Sequence, residues 1–221
     1  MIEIIHKSAD FMVCVKPQGI SSQPEATGNE DMTSLLSAYL RESGENDEIF
    51  VVHRLDRATG GLILYARNKK SAAIFSQLVA EKDEFEKHYI CVISGKPTES
   101  RGNMTDYLFK DSAKKKAFVV KSERKGSKLA SLDYEIIKTI TQEDKIFSLL
   151  QIKLNTGRFH QIRTQLSSRG MPIYADGKYG SREKAPYFAL WANKIVFEYK
   201  NKKYSFEKVP DFDTNPWYLF N

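Results

Sequence analysis

The sequence predicts an α+β fold built on a mixed, largely antiparallel β-sheet with flanking helices. Three observations carry this. Many short stretches alternate apolar and polar residues, only three stretches space apolar residues helically, and the two kinds do not alternate in regular βαβ order. At 221 residues the chain can bury a substantial core, as one large domain or two small ones.

Residues 2–5 and 11–15 read as short strands around a turn at Lys7 to Asp10. KPQGISSQP (16–24) is punctuated by Pro17, Gly19 and Pro24 and is expected to be extended or turning. In MTSLLSAYLRESG (32–44), Leu35, Leu36, Tyr39 and Leu40 share a helical face, and Gly44 can stop the helix. Apolar runs at 49–52 and 62–66 flank HRLDRATGG (53–61), giving strand, exposed loop, strand. A second helix fits 69–82, with Ile74, Phe75, Leu78 and Val79 on one face. KHYICVISG (87–95) reads as a strand ending at a glycine, and SLLQIKLNTG (148–157) alternates as a half-buried strand does. FHQIRTQLSSRG (159–170) puts Ile162 and Leu166 at helical spacing and ends in Gly170. Late in the chain, FALWANKIVFEYKNKKYSFEKV predicts a strand, a turn around Asn201 and another strand.

Composition narrows the function classes. The net charge of +6 favours a polyanionic partner. Cys14 and Cys91 each lie in an apolar stretch and are expected to be buried thiols rather than a disulfide. Four scattered histidines supply no metal-ligand spacing, so no metal is expected. The N-terminus lacks a basic segment followed by an apolar run, and no stretch reaches the length of a membrane span. A cytoplasmic protein is expected.

Three constellations can carry chemistry. In HRLDRATGG, Asp56 sits between Arg54 and Arg57 ahead of a Gly-Gly turn, on a loop that a sheet would hold rigid. The residues alone leave open whether Asp56 reacts or merely forms a turn with surface ion pairs. A kinase catalytic loop is excluded: Leu55 interrupts His-Arg-Asp, no Asn follows at the right distance and no Gly-rich loop precedes it. In TGRFHQIRTQL (156–166), a strand delivers a tight turn and a helix then carries His160, Gln161 and Arg163, a placement suited to anions; a solvated polar face is the alternative. The third is Lys110 to Lys128, where Lys114, Lys115 and Lys116 and five further cations outweigh Asp111 and Glu123 by the whole net charge of the chain. Its AFVV core predicts a hairpin strand, and its charge either tracks a phosphate backbone or is only solvated.

Taken in order, these motifs resemble those of the RluA branch of pseudouridine synthases. HRLD, then K-x-Y at Lys87 and Tyr89, then TGRFHQIRTQLSSRGMPIYADGKYG (156–180) are similar to the three family motifs. DFMVCVKPQGISSQP resembles the family's strand and Lys-Pro-x-Gly segment, GSKLASLDYEII (126–137) its Gly-Lys-x-Ala hairpin, and ALWANKIVF (189–197) its Leu-His-Ala segment. The likeness runs from about residue 2 to 217 and implies a single catalytic domain, 1–221, with a central active-site cleft.

The resemblance implies the following roles. Asp56 is the nucleophile, Arg163 its ionic partner, and Tyr89 stacks on the target base and can take the C5 proton. Arg54, in the HRLD strand, fills the gap left by a flipped uridine. His53, Arg158, His160 and Gln161 line the cleft or contact the substrate, while Lys114, Lys115 and Lys116 hold the RNA backbone. The reaction isomerises uridine to pseudouridine in ribosomal or transfer RNA without redox change or group donor, so no cofactor is implied. A monomer is expected, with RNA as partner. Two positions depart from the pattern: Gly60 stands where Ser is usual, removing a hydroxyl, and Trp191 where His is usual. The resemblance also implies that the small helical module preceding many relatives is absent. A catalytically silent RNA-binding protein on the same fold is the rival; it predicts loss of Asp56 or Arg163, and both are present.

Overall fold

A computed structural model describes residues 2–26, 28–81 and 84–221. In chain order the elements are β1 (Glu3–Lys7), β2 (Phe11–Lys16), α1 (Met32–Glu42), β3 (Phe50–Val51), β4 (Gly60–Ala66), α2 (Lys69–Ala80), β5 (Phe85–Ser94), β6 (Arg101–Asp111), β7 (Lys116–Val120), β8 (Ser127–Gln142), β9 (Lys145–Leu154), α3 (Gln161–Ser168), β10 (Leu190–Tyr199) and β11 (Lys202–Glu207). The expected α+β class is present, with three α-helices and nearly all strand pairs antiparallel. The chain divides into two compact units: Met1–Glu86 with Trp191–Pro210, and Lys87–Leu190 with Asp211–Asn221.

In the first unit β2 pairs antiparallel with β1 and β4, and β4 runs parallel to β10 through Gly60 and Gly61 opposite Trp191 and Ala192. Both β2 and β4 are buried along their whole length. One face of them, Phe11, Val13, Val15, Leu62, Leu64 and Ala66, packs with Phe75, Phe85, Ile195, Phe197 and Tyr199. The period-two spacing of these residues puts them on one side of each strand. Asp31 caps α1, whose buried face is Met32, Leu36 and Leu40. That face is rotated from the expected one: Leu35 and Tyr39 are only half-buried at its margin. Asn68 caps α2 in the same way, and Ser71 and Phe75 are buried. The last residue of the expected helix, Lys82, lies outside the described residues.

The second unit is an antiparallel meander, β5–β9–β8–β6–β7. The basic stretch forms the β6–β7 hairpin as its pattern predicts, with Lys115 at positive φ in the tip. Six consecutive residues of α3, Gln161 to Leu166, are buried, so this short helix is enclosed on all sides. It starts two residues later than its periodicity predicts because His160 adopts a left-handed conformation and the Thr156–Arg158 turn continues up to it. Cys14 and Cys91 are buried and unpaired, and burial pushes the Cys14 thiol up to about 12. Among the described residues no helix is long and apolar enough to cross a membrane.

Candidate active site

In the first unit, Asp56 opens a tight turn closed by the Thr59 N–H donating to the Asp56 carbonyl at 2.9 Å. Segment 16–22 buttresses this turn. Ser22 Oγ accepts from the Leu55 N–H at 3.1 Å and donates to the Leu55 carbonyl at 2.9 Å. Gln18 Nε2 donates to the Ala58 carbonyl, the Gly19 N–H to the Arg57 carbonyl, and Arg57 Nε to the Gly19 carbonyl, all within 2.9 Å. Lys16 is fully buried, and its Nζ donates to the carbonyls of Pro17, Ile20 and Arg57 at 2.9, 2.8 and 3.0 Å. Three acceptors match the three N–H groups of an ammonium, so the site is built for the charged form. Burial pulls the Lys16 pKa down to about 7, while the charge of Asp56 acts to raise it. The expected turning segment is therefore the support of the Asp56 turn, and Lys16 is a functional candidate that the sequence reading missed.

The neighbours of Asp56 divide by role. Arg54 is exposed and lies beyond the end of β3, so it is a loop residue rather than part of a strand as expected. His53 Nε2 accepts from the Leu64 N–H at 3.1 Å, and its ring lies 5.3 Å from that of Phe85. Through these contacts the imidazole ties the loop to β4 and the core.

The two departures from the family pattern turn out to be coupled. A Cβ on Gly60 would lie 2.4 Å from Trp191 Cζ3 and 2.5 Å from Cε3. The indole therefore fills the space that a side chain at position 60 would need. It is held there by Trp191 Nε1 donating to the Lys208 carbonyl at 2.8 Å. At Gly61 the requirement is backbone: φ is +110° and a Cβ would meet the Ala192 carbonyl oxygen at 2.2 Å.

In the second unit, Tyr89 lies on β5 opposite Ile152 and is 7% exposed. Lys87, two residues earlier and so on the same face, has its pKa lowered by burial. Arg163 projects from the first turn of α3 into a buried ion pair: Nε donates to Asp176 Oδ2 at 2.7 Å and Nη2 to Oδ1 at 2.9 Å. Its guanidinium also stacks on Tyr179 and Phe188, 4.8 and 4.4 Å from their ring centroids. Asp176 is a positioning residue that the sequence reading missed, because an Asp in DGKYG reads as a turn former.

The remaining candidates surround this pair unevenly. Gln161 is buried and its amide is spent on structure: Oε1 accepts from Thr156 Oγ1 and the Arg158 N–H, and Nε2 donates to the Ser131 carbonyl. Through these bonds it shapes the Thr156–Arg158 turn. His160 Nδ1 is hydrogen-bonded to Tyr179 Oη at 2.9 Å, and its ring stacks on Phe159. Burial, with Arg163 adding to it, lowers its pKa to about 3, so His160 is neutral at physiological pH and offers no charge to a phosphate. Arg158 is exposed, with Nε donating to the Leu129 carbonyl at 2.8 Å. Lys114 and Lys115 are exposed at the hairpin tip, whereas Lys116 is half-buried with its ammonium 4.9 Å from the Tyr179 ring centroid. Among the described residues no group of three or more His, Cys, Asp or Glu side chains could hold a metal ion.

Residues 10–168 match the sequence profile of the family described as RNA pseudouridylate synthase. The chain is 31% identical over 215 residues to the ribosomal large subunit pseudouridine synthase C of Rickettsia bellii, covering 95% of this chain and 69% of that protein. It is 29% identical over 196 residues to a Bacillus subtilis protein named as an uncharacterised RNA pseudouridine synthase, covering 88% of this chain and 63% of the relative. It thus spans about two thirds of the length of these curated relatives. Its fold is similar to that of human RNA pseudouridylate synthase domain containing 1, with a TM-score of 0.76 at 22% identity over 98% of this chain and 86% of that one.

Proposed function

Because the chain belongs to the RNA pseudouridylate synthase family and so to the isomerases that act on RNA, we propose that it converts specific uridines of ribosomal RNA to pseudouridine, with Asp56 as nucleophile. The observation that carries this reading is the Asp56 turn, braced by Lys16, Gln18, Gly19 and Ser22 and lying inside the matched segment. A reactive carboxylate needs a fixed position, and a turn hydrogen-bonded on several sides supplies it.

The isomerisation breaks the bond between ribose C1′ and N1 and joins C1′ to C5; the C5 proton leaves and N1 gains one. The Asp56 carboxylate can attack C1′, attack C6 of the ring, or remove the 2′ proton of the ribose. Tyr89 is the group proposed to stack on the base and take the C5 proton. Arg163 is the proposed ionic partner of Asp56. Asp176 accepts from two of the five N–H donors of the Arg163 guanidinium and fixes the orientation of that group. These atoms of a uridine are hidden in a stacked helix or loop, so the base must be flipped out, and Arg54 is proposed to fill the gap. Lys114 and Lys115, exposed at the hairpin tip, and Arg158 are proposed to hold the backbone. Ribosomal RNA is favoured over transfer RNA by the printed name of the Rickettsia relative.

The test is Asp56→Asn, which is expected to bind RNA while releasing no tritium from RNA labelled at uridine C5. Turnover equal to that of the parent protein would overturn the assignment. Pseudouridine mapping of ribosomal and transfer RNA from cells with and without the protein then identifies the substrate uridine.

A further inference from the structure

We propose that a cavity in the second unit is a nucleotide subsite, seating one unstacked nucleotide of the RNA outside the catalytic position. The proposal rests on the reading of the chain as an RNA pseudouridine synthase and adds to it a means of choosing which uridine is modified. The cavity has a volume of about 190 Å³ and is lined by Leu108, Lys110, Ala117, Lys128, Arg158 and Phe159, with Gly126 and Gly157 completing its rim. This is below the roughly 300–1,000 Å³ of pockets for drug-sized ligands and fits a single ring system.

Its chemistry is divided between floor and rim. Leu108 and Ala117 are buried and make an apolar floor. Lys110 and Lys128 rise from the same sheet face, since Lys110 is opposite Ala117 and two residues from Leu108, and Lys128 is opposite Leu108. The Phe159 ring forms a wall, with the Lys110 ammonium 4.7 Å from its centroid. Arg158 is anchored through Nε to the Leu129 carbonyl, which leaves its two terminal nitrogens to meet an anion. Lys110, Lys128 and Arg158 are exposed, no carboxylate lines the cavity, and among the described residues no salt bridge engages these three cations. A small apolar cavity with one aromatic wall and three cations at its mouth, none of them in a salt bridge among the described residues, matches a base joined to a phosphate. His160 covers one face of Phe159, so a base would stack on the other as the flexible Lys110 side chain swings from that face to the phosphate, which the three cations would hold.

The test uses a random-sequence single-stranded RNA pool containing 5-iodouridine, with the whole chain. Irradiation is expected to crosslink the peptide that contains Phe159. Phe159→Leu, which keeps apolar bulk but removes the aromatic face, should weaken RNA binding about tenfold and leave its salt dependence unchanged. Lys110→Ala/Lys128→Ala, at two exposed positions where folding is not at stake, should lower the slope of log affinity against log salt by about 1.4. Unchanged affinity and slope in both variants, with the crosslink mapping elsewhere, would overturn the subsite even if pseudouridine is formed normally. A crosslink at Phe159 in a protein that forms no pseudouridine in any RNA would uphold the subsite and overturn the proposed reaction.

Discussion

Replacing Asp176 with Asn removes a charge from the deepest ion pair of the second unit while keeping the shape of the side chain. Arg163 and Asp176 are 7% and 1% exposed, and both carboxylate oxygens accept, at 2.7 and 2.9 Å. Asn keeps one oxygen and turns an N–H₂ toward a guanidinium that can only donate, so one bond is lost and the other loses its anionic acceptor. Leaving one member of a buried pair uncompensated costs about 3–5 kcal/mol. The Tyr179 and Phe188 rings still flank the guanidinium, so the expected loss lies near the lower end, about 3 kcal/mol. Urea unfolding at neutral pH measures it as a lower midpoint with an unchanged slope. Single-turnover pseudouridine formation, corrected for the folded fraction, should fall by about tenfold or more as Arg163 loses its fixed position. A variant within about 0.5 kcal/mol of the parent and equally active would refute the reasoning, since Arg163 would then keep its position without the Asp176 charge.

Three further outcomes are expected. Lys16→Met should destabilise the protein by about 2 kcal/mol, the loss of three charge-assisted bonds being partly offset by relief of a buried charge. Pseudouridine formation should fall further than stability does; an unchanged rate would show that the Asp56 turn stands without Lys16. Gly60→Ser should clash with the indole and lower the midpoint of urea unfolding, and Gly60→Ser/Trp191→His should recover most of the loss; equal losses in the single and double variants would show that the two positions are independent. For His160 the folded-state pKa is about 3 against 6.5 for an ordinary histidine. The unfolded chain therefore binds the extra proton between these values, and stability contributed by the neutral ring is present above pH 6.5 and lost as pH falls toward 3. His160→Gln should flatten the stability profile across that window, and an unaltered slope in urea melts would show that other groups set it.

Much of the fold was legible because its signals are local. Alternation in Leu150, Ile152 and Leu154 marked β9, the apolar runs around HRLDRATGG marked the strands beside a reactive loop, and the spacing of Ile74, Phe75, Leu78 and Val79 marked α2. The start of α3 was not legible, because the Gln161 side chain ties back the Thr156–Arg158 turn and His160 adopts positive φ. The face of α1 was legible only roughly, since a 3.6-residue period leaves the margin of a buried stripe to its neighbours.

For the site, the sequence by itself determined the candidates (Asp56 on a loop, Tyr89 on a strand, Arg163 on a helix, and a basic hairpin) together with the family to which they point. Those are properties of residue type, order and short-range period. Only the tertiary structure decided what holds the candidate residues. It tied Lys16 to the carbonyl of Arg57, set Asp176 against Arg163, bonded His53 to Leu64 and Gln161 to Ser131, and fitted Trp191 into the space above Gly60. The physical reason is separation along the chain. Lys16 meets Arg57 across 41 residues, so no local pattern records the bond. Packing and ion pairing act through space, and the role of a buried polar group depends on which acceptor the fold brings to it.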